Sequence, residues 1–306
     1  MVTNRFTNSK SAHWRGVLTA IITPFDLHGD LALEHFPVLL DFQRQAGIDG
    51  VIVCGTNGEA TSLSVEERKR ALEAALAHCG DLIMLAGNGA ASITDALELT
   101  RHATEVGAEG LLALPPFFYK NVSPQGLADY FRRIMDATDL PVLLYNIPQH
   151  SGIVIPDAVL ELLADHPNLA GVKDSTGDWA STHHYITAYP HLKIFAGHDT
   201  LASSSFAHGG ESISGGANAF PEALVAVRDA ARQGGEAVDA AQARLLAINR
   251  IVSRYPFVGN NKSILAHRGL PRLGVRPPLV NLTPTQEESL LAELRDAGAL
   301  FLPMPT

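Results

Sequence analysis

Eight short apolar runs recur along the chain, each followed by a longer amphipathic segment. The runs are GVLTAIITPF (16–25), GVIVCG (50–55), LIMLAG (82–87), GLLALPPF (110–117), PVLLYN (141–146), LAGVKD (169–174), LKIFAG (192–197) and SISGGAN (212–218). They are near-continuously apolar rather than alternating, the pattern of strands buried on both faces of a parallel sheet. The segments between them carry helix signals. SVEERKRALEAALAHCG (64–80) opens with Ser64 and Glu67 in capping-box spacing and closes on Gly80. SITDALELTRHATEVG (92–107) also ends on a glycine, and SPQGLADYFRRIMDAT (123–138) has Ser123 as a cap and Pro124 at the first helical position. Eight such alternations within residues 15–235 predict an α/β fold, a (β/α)8 TIM barrel. An open doubly wound sheet shares the same periodicity, but no GxGxxG fingerprint follows the first run. After residue 235 the strand signal stops, and EAVDAAQARLLAINRIVS (236–253), NKSILAHRGL and PTQEESLLAELRDAG (284–298) predict a small C-terminal helical region over 236–306.

Composition narrows the function classes. A formal charge of −9 argues against nucleic-acid or anionic-membrane partners. No apolar run approaches the ~18 residues of a membrane span. The polar arm MVTNRFTNSKSAHWR lacks a signal-peptide layout, and two cysteines, Cys54 and Cys79, make no disulfide framework. A reducing cytoplasm is the expected compartment.

In a barrel, chemistry sits at the C-terminal strand ends and the loops after them. That rule points to Gly55–Glu59 after the second run, Pro115–Tyr119 after the fourth, Tyr145-Asn146 after the fifth, Lys173-Asp174-Ser175 after the sixth and Gly215–Asn218 after the eighth. Lysine is scarce: six lysines stand against seventeen arginines, and only Lys173 and Lys193 fall inside strand-like runs. Lys193 opens its run, on the face that serves stability. Lys173 closes its run behind Leu169, Ala170 and Val172. An ammonium in an apolar mouth loses solvation, which favours the neutral nucleophile and Schiff-base chemistry with a ketone. Position alone leaves open the other reading, a lysine reaching out from a strand end to pair with a carboxylate. Tyr145 ends the adjacent strand, where a phenol relays protons or simply sits half-buried with its hydroxyl in water. Gly55–Glu59 is either a tight connection or a cradle of backbone N–H groups for a carboxylate. Thirteen histidines show no metal-ligand spacing, and no GxSxG elbow marks a serine nucleophile.

Four motifs in order carry a resemblance across essentially the whole chain: Gly55-Thr56-Asn57-Gly58-Glu59, Tyr145-Asn146-Ile147-Pro148, Gly171-Val172-Lys173-Asp174 and Val275-Arg276-Pro277-Pro278. The chain resembles the dihydrodipicolinate synthase / N-acetylneuraminate lyase family of pyruvate-dependent class I aldolases. The resemblance implies that Lys173 forms an imine with pyruvate or another 2-oxo acid. It makes Tyr145 the proton shuttle, Thr56 its hydroxyl partner, and the backbone N–H groups of Thr56 and Asn57 the holders of the substrate carboxylate. It places the Ile213 carbonyl against the site, counts Ser175 and His150 with the substrate-binding residues, and lets a neighbouring subunit lend Tyr119, or by a one-residue shift Phe118. A homotetramer of tight dimers is implied, and neither metal nor organic cofactor, because the lysine is itself the electron sink.

Two departures bear on the substrate. Dihydrodipicolinate synthases look like GTTGE, where this chain has Asn57, and carry an arginine at the position of His150. Neuraminate lyases look like GSTGE and differ after the lysine. The Asn57 and Lys173-Asp174-Ser175 contexts are more similar to 4-hydroxy-2-oxoglutarate and 2-keto-3-deoxy-sugar-acid aldolases. The expected activity is therefore cleavage or condensation of a 4-hydroxy-2-oxo acid to or from pyruvate and an aldehyde. 4-Hydroxy-tetrahydrodipicolinate synthesis, a 2-keto-3-deoxy acid dehydratase and a non-catalytic sugar-acid binder are the alternatives.

Overall fold

The computed structural model describes residues 9–299, so the first eight residues of the polar arm and the last seven of the C-terminal region lie outside the description. Eight parallel strands close into a barrel in sequence order: β1 (Val17–Ala20), β2 (Gly50–Val53), β3 (Ile83–Gly87), β4 (Gly110–Ala113), β5 (Val142–Asn146), β6 (Leu169–Asp174), β7 (Lys193–Ala196) and β8 (Glu211–Ser214), with β8 pairing back to β1. The connecting helices are α1 (Phe36–Gln45), α2 (Val65–Leu76), α3 (Ile93–Glu105), α4 (Pro124–Asp136), the short α5 (Pro148–Ser151), α6 (Asp157–Leu163), α7 (Trp179–Ala188), α8 (Ala202–Ala207) and α9 (Pro221–Gln233). Three further helices follow: α10 (Ala237–Val252), α11 (Gly259–His267) and α12 (Pro284–Asp296). The architecture is the predicted (β/α)8 barrel. No helix among the described residues is long and apolar enough to cross a membrane.

The strands are buried on both faces because two apolar layers enclose them. Leu18, Ile52, Leu85, Leu112, Leu143, Phe195 and Ile213 fill the barrel interior, while Val17, Val51, Met84, Leu111, Leu144 and Val172 pack outward against the helices. Trp14 plugs the floor and is fully buried. A side chain at Gly110 would overlap its indole, so β4 begins with a glycine. Lys193 sits at the floor end as expected, donating from Nζ to the Ala12 carbonyl at 3.2 Å.

Three runs continue well past the C-terminal ends of the strands they form. β4 stops at Ala113, before Pro115-Pro116, where the missing N–H groups break the ladder. β1 stops at Ala20, and Asn218 takes over its hydrogen bonding. The Asn218 amide donates to the Ala20 carbonyl at 2.8 Å, and its Oδ1 accepts from the Ile22 N–H at 2.9 Å. β8 likewise ends at Ser214 and tightens into a single 3-10 turn, Gly216–Asn218. Apolarity there reflects burial of the barrel mouth rather than strand. Helix ends follow the caps: Ser64 and Glu67 form a reciprocal capping box at α2, and Ser123 caps α4.

The C-terminal helices fold back over the mouth. Arg268 after α11 is buried, lies over the Phe42 ring, and donates to the Ala219 carbonyl and to Glu222. Arg276 makes a bidentate pair with Glu67 of α2 (2.9 and 2.6 Å), and Gly274 bridges to Phe25 in the loop after β1.

Candidate active site

Lys173 and Tyr145 meet through the register of β5 and β6, in which the two residues are directly paired. Alternation along β6 sends Lys173 into the barrel and Asp174 out. The Asp174 carboxylate accepts from Asn146 (2.8 Å), Thr176 (2.9 Å) and Thr182 (2.7 Å), which fixes the end of the strand. Lys173 is only 4% exposed, and no carboxylate lies within ion-pair distance of it among the described residues. Its Nζ stands 4.1 Å from the centre of the Tyr145 ring.

The Tyr145 hydroxyl lies 3.4 Å from the Thr56 hydroxyl, so the loop after β2 reaches the strand ends of β5 and β6. Burial pushes the phenol pKa up, but the Lys173 charge and the Thr56 hydrogen bond outweigh it and hold the phenol below its ordinary value. The backbone N–H groups of Thr56 and Asn57 donate to no acceptor among the described residues. Two free N–H groups on one turn form an anion-binding concavity.

Glycines make room for these side chains. A methyl on Gly197 would overlap Ser175 Oγ and press on Lys173 Cε, and one on Gly215 would overlap the Asn57 amide. Ser175 Oγ is buried beside the lysine and lies close enough to the Tyr145 hydroxyl to help lower its pKa. Ile213 lies in β8 with its side chain in the barrel interior.

A cavity of about 270 Å³ adjoins Thr56 and Tyr145 and is walled by Leu112, Leu114, Phe117 and Ile147, with exposed His150 on its rim. Phe118 and Tyr119 do not enter it. They stand 76% and 72% exposed and stack edge-on at 5.4 Å.

The structure thus brings Lys173, Tyr145, Thr56, Asn57 and Ser175 together, sets His150 at the rim, and leaves Tyr119 outside. It also adds residues. Asp199, just after β7, has its carboxyl pushed up by burial, against hydrogen bonds from Ser214 and Asn249. The strand-end rule applied to LKIFAG reaches Asp199. Asn249 of α10 and Asn261 of α11 come from outside the barrel, where that rule has no purchase. Several histidines pair with carboxylates on the surface instead of gathering: His102 with Glu73, His166 with Asp136 and His184 with Asp157.

Comparison with known proteins identifies the family. A DapA-like lyase of Chloroflexus aurantiacus is 39% identical, over 91% of this chain and 95% of its own. An N-acetylneuraminate lyase of Rhizobium meliloti is 34% identical, over 94% and 95%. Among solved structures, YagE of E. coli K12, a dihydrodipicolinic acid synthase family protein in complex with pyruvate, superposes with a TM-score of 0.89 at 29% identity, covering 94% of this chain and all of that one. Residues 13–297 match the dihydrodipicolinate synthetase family, and the chain belongs to that family of class I, pyruvate-dependent lyases.

Proposed function

We propose that the protein cleaves or forms 4-hydroxy-2-oxo acids through a Schiff base on Lys173, releasing or consuming pyruvate and an aldehyde. The observation that carries this reading is the buried Lys173, in no ion pair among the described residues, against Tyr145, which in turn meets Thr56 beside two free backbone N–H groups. The carboxylate of the 2-oxo acid sits on the Thr56 and Asn57 N–H groups, which presents C2 to the Lys173 amine. Attack gives a carbinolamine, and the Tyr145–Thr56 pair carries the proton needed for water to leave. The protonated imine then draws the C3–C4 bonding electrons toward nitrogen. The 4-hydroxyl loses its proton as that bond breaks, the aldehyde departs, and the enamine is protonated at C3 and hydrolysed to pyruvate. Condensation is the reverse path.

Ser175 and the Ile213 carbonyl complete the pyruvate end in this reading. The outward stance of Phe118 and Tyr119 favours their insertion into a neighbouring subunit, with Tyr119 the aromatic so lent and a dimer of dimers the assembly. At the rim, His150 is shorter than an arginine and lacks its bidentate guanidinium, which disfavours a carboxylate-bearing amino-aldehyde and favours the catabolic aldolase over lysine biosynthesis. Pyruvate release from 4-hydroxy-2-oxo acids, followed with a lactate dehydrogenase couple, tests the reading. Turnover of such acids is expected, and His150→Arg is expected to improve the use of an amino-aldehyde by roughly tenfold, the scale of one charged hydrogen bond. Exclusive dehydration of the acid, without aldehyde release, would replace the aldolase assignment with the dehydratase one.

A further inference from the structure

Lys262 is the second deeply buried lysine of the chain, and the chemistry above does not use it. Its side chain is 1% exposed and the Glu59 side chain 0%, with Nζ 2.6 Å from Glu59 Oε1. Nζ also donates to the Gly274 carbonyl at 2.6 Å and stands 4.6 Å from the centre of the Phe25 ring. The other Glu59 oxygen accepts from the backbone N–H of Arg276 at 2.9 Å. Glu59 is therefore gripped by two segments of the C-terminal region at once.

The backbone at Glu59 explains why a grip is needed. Its φ of +54° and ψ of +36° are left-handed, a conformation that is unfavourable for a residue with a side chain and persists only where the surroundings enforce it. Glu59 closes the turn that begins at Gly55. Its N–H donates to the Thr56 carbonyl at 3.2 Å, and the Ala60 N–H donates to Gly55 at 3.4 Å, so the position of Glu59 sets where Thr56 and Asn57 present their free N–H groups. Thr23 supports the same turn through the Gly58 carbonyl at 2.7 Å.

We infer that the buried Glu59–Lys262 pair is a positioning device, in which the C-terminal region locks the Gly55–Glu59 turn into the shape that receives the substrate carboxylate. Neither residue touches substrate. They act through the turn, and this inference rests on the Schiff-base reading of the site. Breaking the clamp weakens capture of the 2-oxo acid and leaves imine chemistry at Lys173 largely intact.

A pH signature accompanies the geometry. Burial pulls Lys262 down to about 8, against the opposing pull of Glu59. The charged groups facing it are Glu59 from the turn and Arg276 from the segment after α11, with the Arg272–Glu287 pair lining the small cavity beside it. Below about pH 8 the ammonium is present and the clamp is ionic. Above it the charge is lost and the turn loosens.

The test is the pyruvate-concentration dependence of borohydride trapping in the full chain, for wild type, Glu59→Gln, Lys262→Met and the double variant. The single variants each leave an unpaired buried group, so their folding suffers as well. The double variant leaves no uncompensated charge and keeps thermal stability near that of wild type. It is expected to need about tenfold more pyruvate for half-saturation, with a maximal trapping rate within about threefold of wild type. Its half-saturation should also lack the rise expected of wild type between pH 7.5 and 9. A well-folded double variant with unchanged half-saturation would overturn the inference and leave the pair a purely structural tie. If wild type itself forms no adduct, the Schiff-base reading fails separately. The clamp is then judged by hydrogen exchange at the Glu59 and Ala60 amides, which must accelerate in the double variant for the inference to stand.

Discussion

The chain buries two lysines at the barrel mouth and treats them oppositely. Lys262, on a helix, is given a carboxylate, a carbonyl and an aromatic face, so its charge is compensated and its amine is held in place. Lys173, on a strand, is set against a tyrosine ring, with the buried Asp199 carboxyl near enough to feel its charge but no carboxylate within ion-pair distance among the described residues. Burial alone does not make a lysine reactive; an amine held by a carboxylate and a carbonyl has no free approach to a carbonyl carbon. The contrast is also one of architecture. β6 projects Lys173 into the space where strand ends converge, whereas α11 projects Lys262 sideways beneath a loop.

The sharpest way to break this contrast is to remove the reactive amine. Lys173→Ala is expected to lower turnover by roughly four orders of magnitude or more, while thermal unfolding stays at or above the wild-type midpoint because an unpaired buried amine has been taken away. Residual activity within tenfold of wild type would show that Lys262 or another amine serves instead. Next in size is Tyr145→Phe, which keeps the ring against Lys173 but removes the hydroxyl. Its expected effect is a fall of about 10²–10⁴ in turnover, the range of one positioned proton carrier. The lowered phenol pKa also puts a basic limb in the wild-type pH–rate profile below pH 10, and Tyr145→Phe should abolish that limb.

The smallest effect concerns the second anchor of the C-terminal region. The Arg276 hydrogen bonds pull the Glu67 carboxyl from 4.5 down to about 2. Because the folded-state pKa lies below the unfolded one, the stabilisation is complete above about pH 4.5 and is lost as pH falls toward 2. Glu67→Gln should thus be less stable than wild type by about 1–3 kcal/mol at pH 6 and nearly equal to it near pH 2, by chemical denaturation at each pH.

The barrel was legible because its strands are buried on both faces, which writes them as apolar runs that no other segment imitates. Strand ends were less legible: Pro115-Pro116 and the Asn218 side chain end ladders that apolarity alone would extend. Lys173 and Tyr145 could be found because each stands one residue from the end of its strand, and the strand-end rule needs no tertiary contact to apply. Lys262 and Glu59 are separated by 203 positions and meet only in the folded chain. A scarce lysine inside an otherwise charge-poor helix was the one signal of that pair in the sequence, and it names no partner. Asn249 was hidden in the same way, on a helix whose pattern reports its packing against α9 and nothing of the mouth it overhangs.

The most direct measurement is intact mass after mixing the protein with pyruvate and borohydride, followed by a peptide map. One reduced pyruvate adduct per chain, on the peptide bearing Lys173 and absent from the one bearing Lys262, is the predicted result. No adduct on a well-folded sample, or an adduct distributed over other lysines, would contradict the assignment of Lys173 as the imine-forming residue.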